Sequence, residues 1–94
     1  MVRDVRLVVN PDAGRGWAAA QASAVAEVMR TQGWTVEVCH ATAGQLERLA
    51  SAVDPHVLVC SLGGEGTHAR VASGAYVAGA LFTPLPGGRG NDLV

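Results

Sequence analysis

Residues 61–67 have the composition of a loop that holds phosphate groups. They read Ser-Leu-Gly-Gly-Glu-Gly-Thr, follow the apolar run 57–60 and precede a predicted helix. Gly63, Gly64 and Gly66 lack a Cβ atom, so a ligand can approach the backbone N–H groups closely. The N-terminus of the helix adds unpaired N–H donors and the positive end of the helix dipole. This segment is therefore predicted to bind a polyphosphate, although glycines also build turns that bind nothing.

Two further glycine-containing segments follow apolar runs. Residues 10–16 read Asn-Pro-Asp-Ala-Gly-Arg-Gly, and residues 86–92 read Pro-Gly-Gly-Arg-Gly-Asn-Asp. Each lies at the carboxyl end of a predicted strand. In an open parallel sheet ligands bind beyond the carboxyl ends of the strands, so the three segments are predicted to converge on one site.

The elements that must position these segments alternate along the chain. Apolar patterns predict strands at residues 5–9, 34–39, 56–62 and 81–83, and helices at 17–31, 42–53 and 67–77. Thr42 and Gln45 predict a capping box that opens the second helix. The alternation in strand two favours an edge position or a less buried face. This order indicates an α/β fold with an open parallel sheet, helices on both faces and right-handed crossovers.

The three motifs, taken in order, resemble the diacylglycerol kinase catalytic domain family, which includes bacterial lipid kinases, sphingosine kinases and ceramide kinases. The family patterns are Asn-Pro-x-Ala/Ser-Gly, Gly-Gly-Asp-Gly-Thr and Pro-x-Gly-Thr/Arg-Gly-Asn-Asp. The resemblance implies a Rossmann-like three-layer domain of the NAD kinase and diacylglycerol kinase type. It also implies an ATP- and Mg²⁺-dependent lipid kinase that transfers the γ-phosphate to a lipid hydroxyl.

By the same resemblance, residues 1–94 are expected to be an N-terminal nucleotide-binding domain. The chain would then be truncated before a β-rich domain that carries the lipid acceptor site and the general base, so no catalytic base is expected within it. The partners expected are a nucleotide and, through the missing domain, a lipid. Apolar surface left exposed by that domain favours a homodimer as a further option.

The resemblance further implies which residues contact the nucleotide, and Glu65 is the candidate carboxylate for organising Mg²⁺. Three of these positions have simpler alternative roles. Asn10 could serve merely to end a strand, Thr42 merely to cap a helix, and Arg89 could be a solvated charge. The expected nucleotide contacts are Asn10, Pro11, Asp12, Ala13, Gly14, Thr42, Gly63, Gly64, Glu65, Gly66, Thr67, His68, Ala69, Arg70 and Arg89.

Two positions depart from the family pattern. Glu65 stands where the family has Asp, and Arg70 stands where it has Glu. The longer glutamate side chain can displace its carboxylate by about 1 Å, enough to cost roughly a hundredfold in a positioned site. Arg70 reverses the charge, and it could either repel a metal ion or contact a phosphate directly. A catalytically impaired nucleotide-binding domain is therefore an alternative function.

A dinucleotide-binding oxidoreductase domain is a second alternative. Residues 14–19 fit Gly-x-Gly-x-x-Ala before a predicted helix. Four residues, 10–13, separate the predicted strand from Gly14, whereas the first glycine of the fingerprint should follow its strand directly. In addition, Cys39 and His40 occupy the place of the ribose-binding acid at the end of strand two.

Composition excludes some classes of function. The chain has 94 residues and a net charge of −1, so it offers no basic field for nucleic acid. It contains no lysine, which excludes a Walker A loop. No signal or spanning segment is predicted, so we expect a cytoplasmic protein, peripheral at the membrane in its full-length form. Cys39 and Cys60 are predicted to be free, buried thiols in neighbouring strands.

Overall fold

The computed structural model describes residues 3–86. These residues contain one four-stranded parallel sheet with the strand order β2-β1-β3-β4. A 3-10 turn at Ala13–Gly16 precedes the first helix. The predicted α/β fold with an open parallel sheet is confirmed. The elements are β1 (Asp4–Val9), α1 (Trp17–Thr31), β2 (Thr35–His40), α2 (Leu46–Ser51), β3 (Leu58–Gly63), α3 (Glu65–Ala78) and β4 (Phe82–Pro86).

Helices cover both faces of the sheet, as predicted. Successive strand residues point to opposite faces, so Leu7 packs towards α1 and Val8 packs towards α2 and α3. The α1 face is built from Val5, Leu7, Val9, Ala18, Ala22, Ala26, Val36, Cys60 and Leu62. The opposite face is built from Val8, Ala41, Leu46, Ala50, Val59, Val71 and Ala75.

Two helices begin at residues other than those predicted. α3 begins at Glu65 and not at Thr67, so the glycine-rich segment runs directly into the helix. α2 begins at Leu46 and not at Thr42. The N–H of Gln45 donates to the carbonyl of Thr42 at 2.9 Å, which closes a turn before the helix. The N–H of Thr42 donates to the Gln45 Oε1 at 3.4 Å, as a capping box requires, but no side chain within residues 3–86 caps α2, so the prediction that Thr42 caps the helix is wrong.

β2 and β4 are the two edges of the described sheet, which confirms the edge position predicted for β2. β4 runs on to Pro86, three residues further than predicted, and includes Pro84. The N–H of Val59 donates to the carbonyl of Leu81 at 2.9 Å, so residue 81 faces β3. Because backbone polar groups alternate in direction along a strand, the nitrogens of Pro84 and Pro86 lie on the free edge.

The strand order corrects the placement of the cysteines. Both are free thiols, but β1 lies between the strands that carry them, so Cys39 and Cys60 are not on neighbouring strands. Cys60 is fully buried, and burial raises its pKa to about 11. Cys39 is only half-buried; burial raises its pKa, and Glu37 adds to this effect.

No helix within residues 3–86 is long and apolar enough to cross a bilayer.

Gly74 allows α3 to pack closely against α2. A Cβ at this position would contact the carbonyl oxygen of Glu47 and would lie 2.7 Å from the Cβ of Ala50. We expect Gly74→Ala to lower the free energy of unfolding by about 1–3 kcal/mol, the usual cost of overpacking. Urea unfolding followed by circular dichroism measures this. Gly66→Ala in the same helix is the matched control, because no atom lies within 4 Å of its added Cβ; equal stability of both variants would contradict the prediction.

Candidate phosphate-binding site

The first turn of α3 presents backbone N–H groups that have no hydrogen-bond partner within residues 3–86. Gly64 is the N-cap residue, and no side chain of the described residues caps this helix end. The first helical bond runs from the N–H of His68 to the carbonyl of Gly64 at 3.0 Å. The N–H groups of Glu65, Gly66 and Thr67 therefore precede the hydrogen-bonded ladder and point out of the helix end. Such a group of donors, at the positive end of the helix dipole, is suited to bind an anion.

The space in front of this turn is open at two of its glycines. A Cβ added at Gly64 or at Gly66 would meet no atom within 4 Å. Packing within residues 3–86 therefore does not require glycine at these two positions. A group that must approach the backbone closely would require it.

Gly63 has a different role. Its φ of +156° disfavours other residues, and a Cβ there would lie 2.7 Å from the Thr67 Oγ1. The fold itself therefore requires glycine at this position, whether or not a ligand binds. Thr67 is buried, with 5% of its surface exposed, so its side chain packs inwards and only its backbone faces the open space.

The first loop is joined to this turn through Asn10. The Nδ2 of Asn10 donates to the Thr67 Oγ1 at 3.2 Å, and its backbone N–H donates to the carbonyl of Leu62 at 3.2 Å. The Asn10 Oδ1 accepts from the N–H of Asp12 at 3.0 Å, which shapes the loop. Ala13 packs against the α1 core, whereas Asp12 is exposed. Two of the three predicted loops therefore meet at one place.

The third loop begins beside the same turn. Pro86 is the register partner of Gly63, so β4 delivers the chain to the carboxyl edge next to the glycines. Arg89, which was predicted to contact the nucleotide, lies outside the described residues.

Comparison with protein-family models finds the diacylglycerol kinase catalytic domain over residues 4–94, which is almost the whole chain. This chain belongs to that family. The family indicates a lipid kinase-like function. No curated protein and no solved structure shows significant similarity to the chain.

In this diacylglycerol kinase catalytic domain, Thr42 lies apart from the glycine turn. It is exposed and follows β2, whose end is joined to β1 where the N–H of Ala41 donates to the carbonyl of Val9 at 2.8 Å. Since β1 separates β2 from β3, and strands lie about 4.8 Å apart, Thr42 is on the same edge of the sheet but roughly 10 Å from the glycines. A ligand that touches both must be extended.

Both departures of the kinase domain from its family pattern are on exposed positions of α3. Glu65 is the first residue of the helix, beside the free N–H groups. Arg70 lies in the second turn and not in the first, because the helix begins two residues earlier than predicted. Within residues 3–86 no three His, Cys, Asp or Glu side chains cluster as a metal site. Glu65 is the acidic residue in the first turn of α3, next to the anion-binding N–H groups.

The side chain of His68 is bonded to β3. Its Nδ1 lies 2.5 Å from the Oγ of Ser61, a fully buried residue of β3. Burial lowers the pKa of His68, and the Glu65 carboxylate opposes this shift without cancelling it. Burial therefore favours the neutral form of the ring. Ser61 was missed from the sequence, because only the packing of α3 on the sheet shows that residues 61 and 68 meet.

A cavity of about 570 Å³ lies at the opposite, amino end of the sheet. Arg6 and Glu37 form an ion pair there at 2.7 Å, and the Arg6 guanidinium also donates to the carbonyls of Leu49 and Ala52. Its principal polar groups therefore bond to one another, and we assign the phosphate site to the glycine turn instead.

Proposed function

We propose that this kinase domain binds ATP with its phosphates on the first turn of α3, for transfer of the γ-phosphate to a lipid hydroxyl. The observation that carries the proposal is the uncapped start of α3, where free N–H groups face open space at Gly64 and Gly66. Phosphoryl transfer depends mainly on positioning and on neutralising charge, which such a helix end can do. The family membership supports the transfer of phosphate to a lipid.

The first loop and the start of the third loop support the proposed site from either side. Asn10 is already fixed against Thr67, and Pro86 already lies beside Gly63. In this proposal the backbone of the α3 turn holds the phosphates, while the loop that begins at Asn10 borders the rest of the nucleotide. Thr42 contacts the nucleotide end furthest from the phosphates.

Magnesium fits the residues present in a limited way. Mg²⁺ in nucleotide sites is held by one or two carboxylates together with phosphate oxygens and water. Glu65 supplies one exposed carboxylate next to the anion-binding turn. When bound, the ion would neutralise charge that develops on the transferring phosphate. Glu65 would hold it, and the backbone of α3 would orient the phosphate chain.

The lipid acceptor belongs to a second part of the proposal. We propose that residues 1–94 form a nucleotide-binding domain and that another domain binds the lipid and provides the general base. The family membership supports a lipid substrate. Within residues 3–86, Glu65 is assigned to the cation and His68 is bonded to Ser61, so neither is offered as that base. A location at the membrane surface follows from such a substrate.

Calorimetric titration with ATP and Mg²⁺ tests the proposed function. We expect weak binding of one nucleotide per chain, because a single helix end and short loops provide most of the contacts. Titration with NAD is the comparison, since residues 14–19 also fit a dinucleotide fingerprint. Absence of ATP binding to the folded chain would contradict the proposal, and tighter binding of NAD would favour the oxidoreductase alternative.

A further inference from the structure

The first turn of α3 is tied to the sheet at two consecutive residues. Thr67 accepts from Asn10, which follows β1, and His68 is bonded to Ser61 of β3. Consecutive helical residues point about 100° apart, so these two bonds hold the turn from two directions. Their geometry determines where the free N–H groups of residues 65–67 point. His68 is the one titratable member of this arrangement.

We propose that His68 is a positioning residue of the phosphate site that accepts a proton when a polyphosphate binds. The proposal rests on the proposed function, since it requires an anion at the first turn of α3. It also extends that function, because it links nucleotide binding to proton uptake at the imidazole ring of His68. Ser61 holds this ring beside the site.

Ser61 allows the ring to change charge without moving. A serine hydroxyl can both donate and accept a hydrogen bond. When the ring is neutral, the Ser61 hydroxyl donates to an unprotonated Nδ1, or accepts from Nδ1 if the proton is there. When the ring is protonated, Nδ1–H donates to the Ser61 Oγ. The bond between α3 and β3 therefore persists in both charge states, and only the hydroxyl hydrogen must rotate.

An anion bound at the first turn of α3 can raise the pKa of His68, because few charges act on the ring in the free protein. Burial keeps the pKa of His68 below its ordinary value in the free protein, and Glu65 on α3 is the charged group that opposes this. Facing the ring from β3 is the neutral Ser61. No charge from the described parts of α2, β1 or β4 contributes to the shift. A phosphate on the first turn lies about one helical turn away, roughly 5 Å along the axis, and favours the protonated ring.

The direction of the pH dependence follows from this change. The bound state has the higher pKa, so between the two pKa values the complex holds more protons than the free protein. Affinity then rises as the pH falls through the bound-state pKa, and it becomes constant below the free-state pKa. Protonation of the ligand itself is the same for wild type and for a His68→Asn variant. The difference in pH dependence between the two proteins therefore reports on His68 alone.

Proton NMR titration of the three histidine rings tests the inference, with and without Mg²⁺-ATP and, separately, inorganic tripolyphosphate. We expect the midpoint of His68 to move to higher pH with either ligand. The ring signals of His56 should not respond to either ligand, because this residue bonds to Asp4 at the amino end of the sheet. Calorimetry in buffers of different ionisation enthalpy should show uptake of up to about one proton by wild type and less by His68→Asn.

The outcomes are distinguishable. If the amide signals of residues 64–67 respond to ligand while the His68 midpoint does not move, the phosphate site is retained and the role of His68 is overturned. If no signal responds to ligand, the proposed function fails and this inference fails with it. Equal proton uptake by wild type and His68→Asn would also overturn the inference, even if the variant binds more weakly.

Discussion

Gly64→Val is expected to abolish detectable ATP binding while the chain remains folded. The backbone of Gly64 has φ −87° and ψ −174°, an extended conformation that valine adopts readily. Its Cβ would meet no atom of residues 3–86 within 4 Å. The added methyl groups would instead occupy the space in front of the free N–H groups of α3. Overlap of this kind costs at least about 1–3 kcal/mol, roughly a 5- to 150-fold loss of affinity, which makes weak binding undetectable.

Calorimetry measures this loss, and circular dichroism checks that the variant is folded. Gly44→Val is the matched control, because Gly44 is an exposed glycine on the same edge of the sheet and its added Cβ also has no neighbour within 4 Å. Gly64→Ala should give an intermediate affinity. Undiminished binding by Gly64→Val would mean that the nucleotide does not lie on the start of α3.

Glu65→Gln is expected to remove the gain in ATP affinity that Mg²⁺ provides. The substitution keeps the size of the side chain but removes the charge that we propose holds the cation beside the phosphates. ATP affinity measured with Mg²⁺ should then approach the affinity measured with EDTA. In an assay of phosphate transfer to lipid, the same variant should lose roughly 10²–10³-fold in turnover, the usual scale for one group that stabilises transition-state charge.

Two variants complete the test of Glu65. Glu65→Asp restores the residue of the family pattern and should keep the Mg²⁺ dependence. Glu27→Gln removes an exposed carboxylate from α1 and should change nothing, since α1 packs on the face of the sheet opposite to α3. A Mg²⁺ dependence that survives in Glu65→Gln would assign the cation to other ligands and would leave Glu65 outside the site.

Hydrophobic periodicity was sufficient to predict the order of the elements and the packing of helices on both faces. α1 was predicted at its observed bounds, because its buried alanines recur at helical spacing and Gly33, at φ +94°, follows its end. The start of α3 was predicted two residues late. The low helix propensity of Gly64 and Gly66 favoured a later start, whereas the helix includes Gly66 in its first turn.

The candidate site was predictable to the extent that it depends on the carboxyl ends of parallel strands. Asn10 and the glycine turn follow β1 and β3, and the fold brings them together. The distance of Thr42 was not predictable, because it depends on β1 lying between β2 and β3. The same strand order separates the two cysteines. The bond between Ser61 and His68 depends on how α3 sits on β3, which no local pattern contains.

The prolines of β4 have a consequence for how this sheet can grow. Another strand that docks along this edge needs N–H donors from β4, and Pro84 and Pro86 supply none on the side that faces away from β3. Strand addition by a second molecule, and the fibril formation that begins in this way, are therefore disfavoured at β4. The edge at β2 carries no proline, so self-association through backbone pairing is expected there in preference.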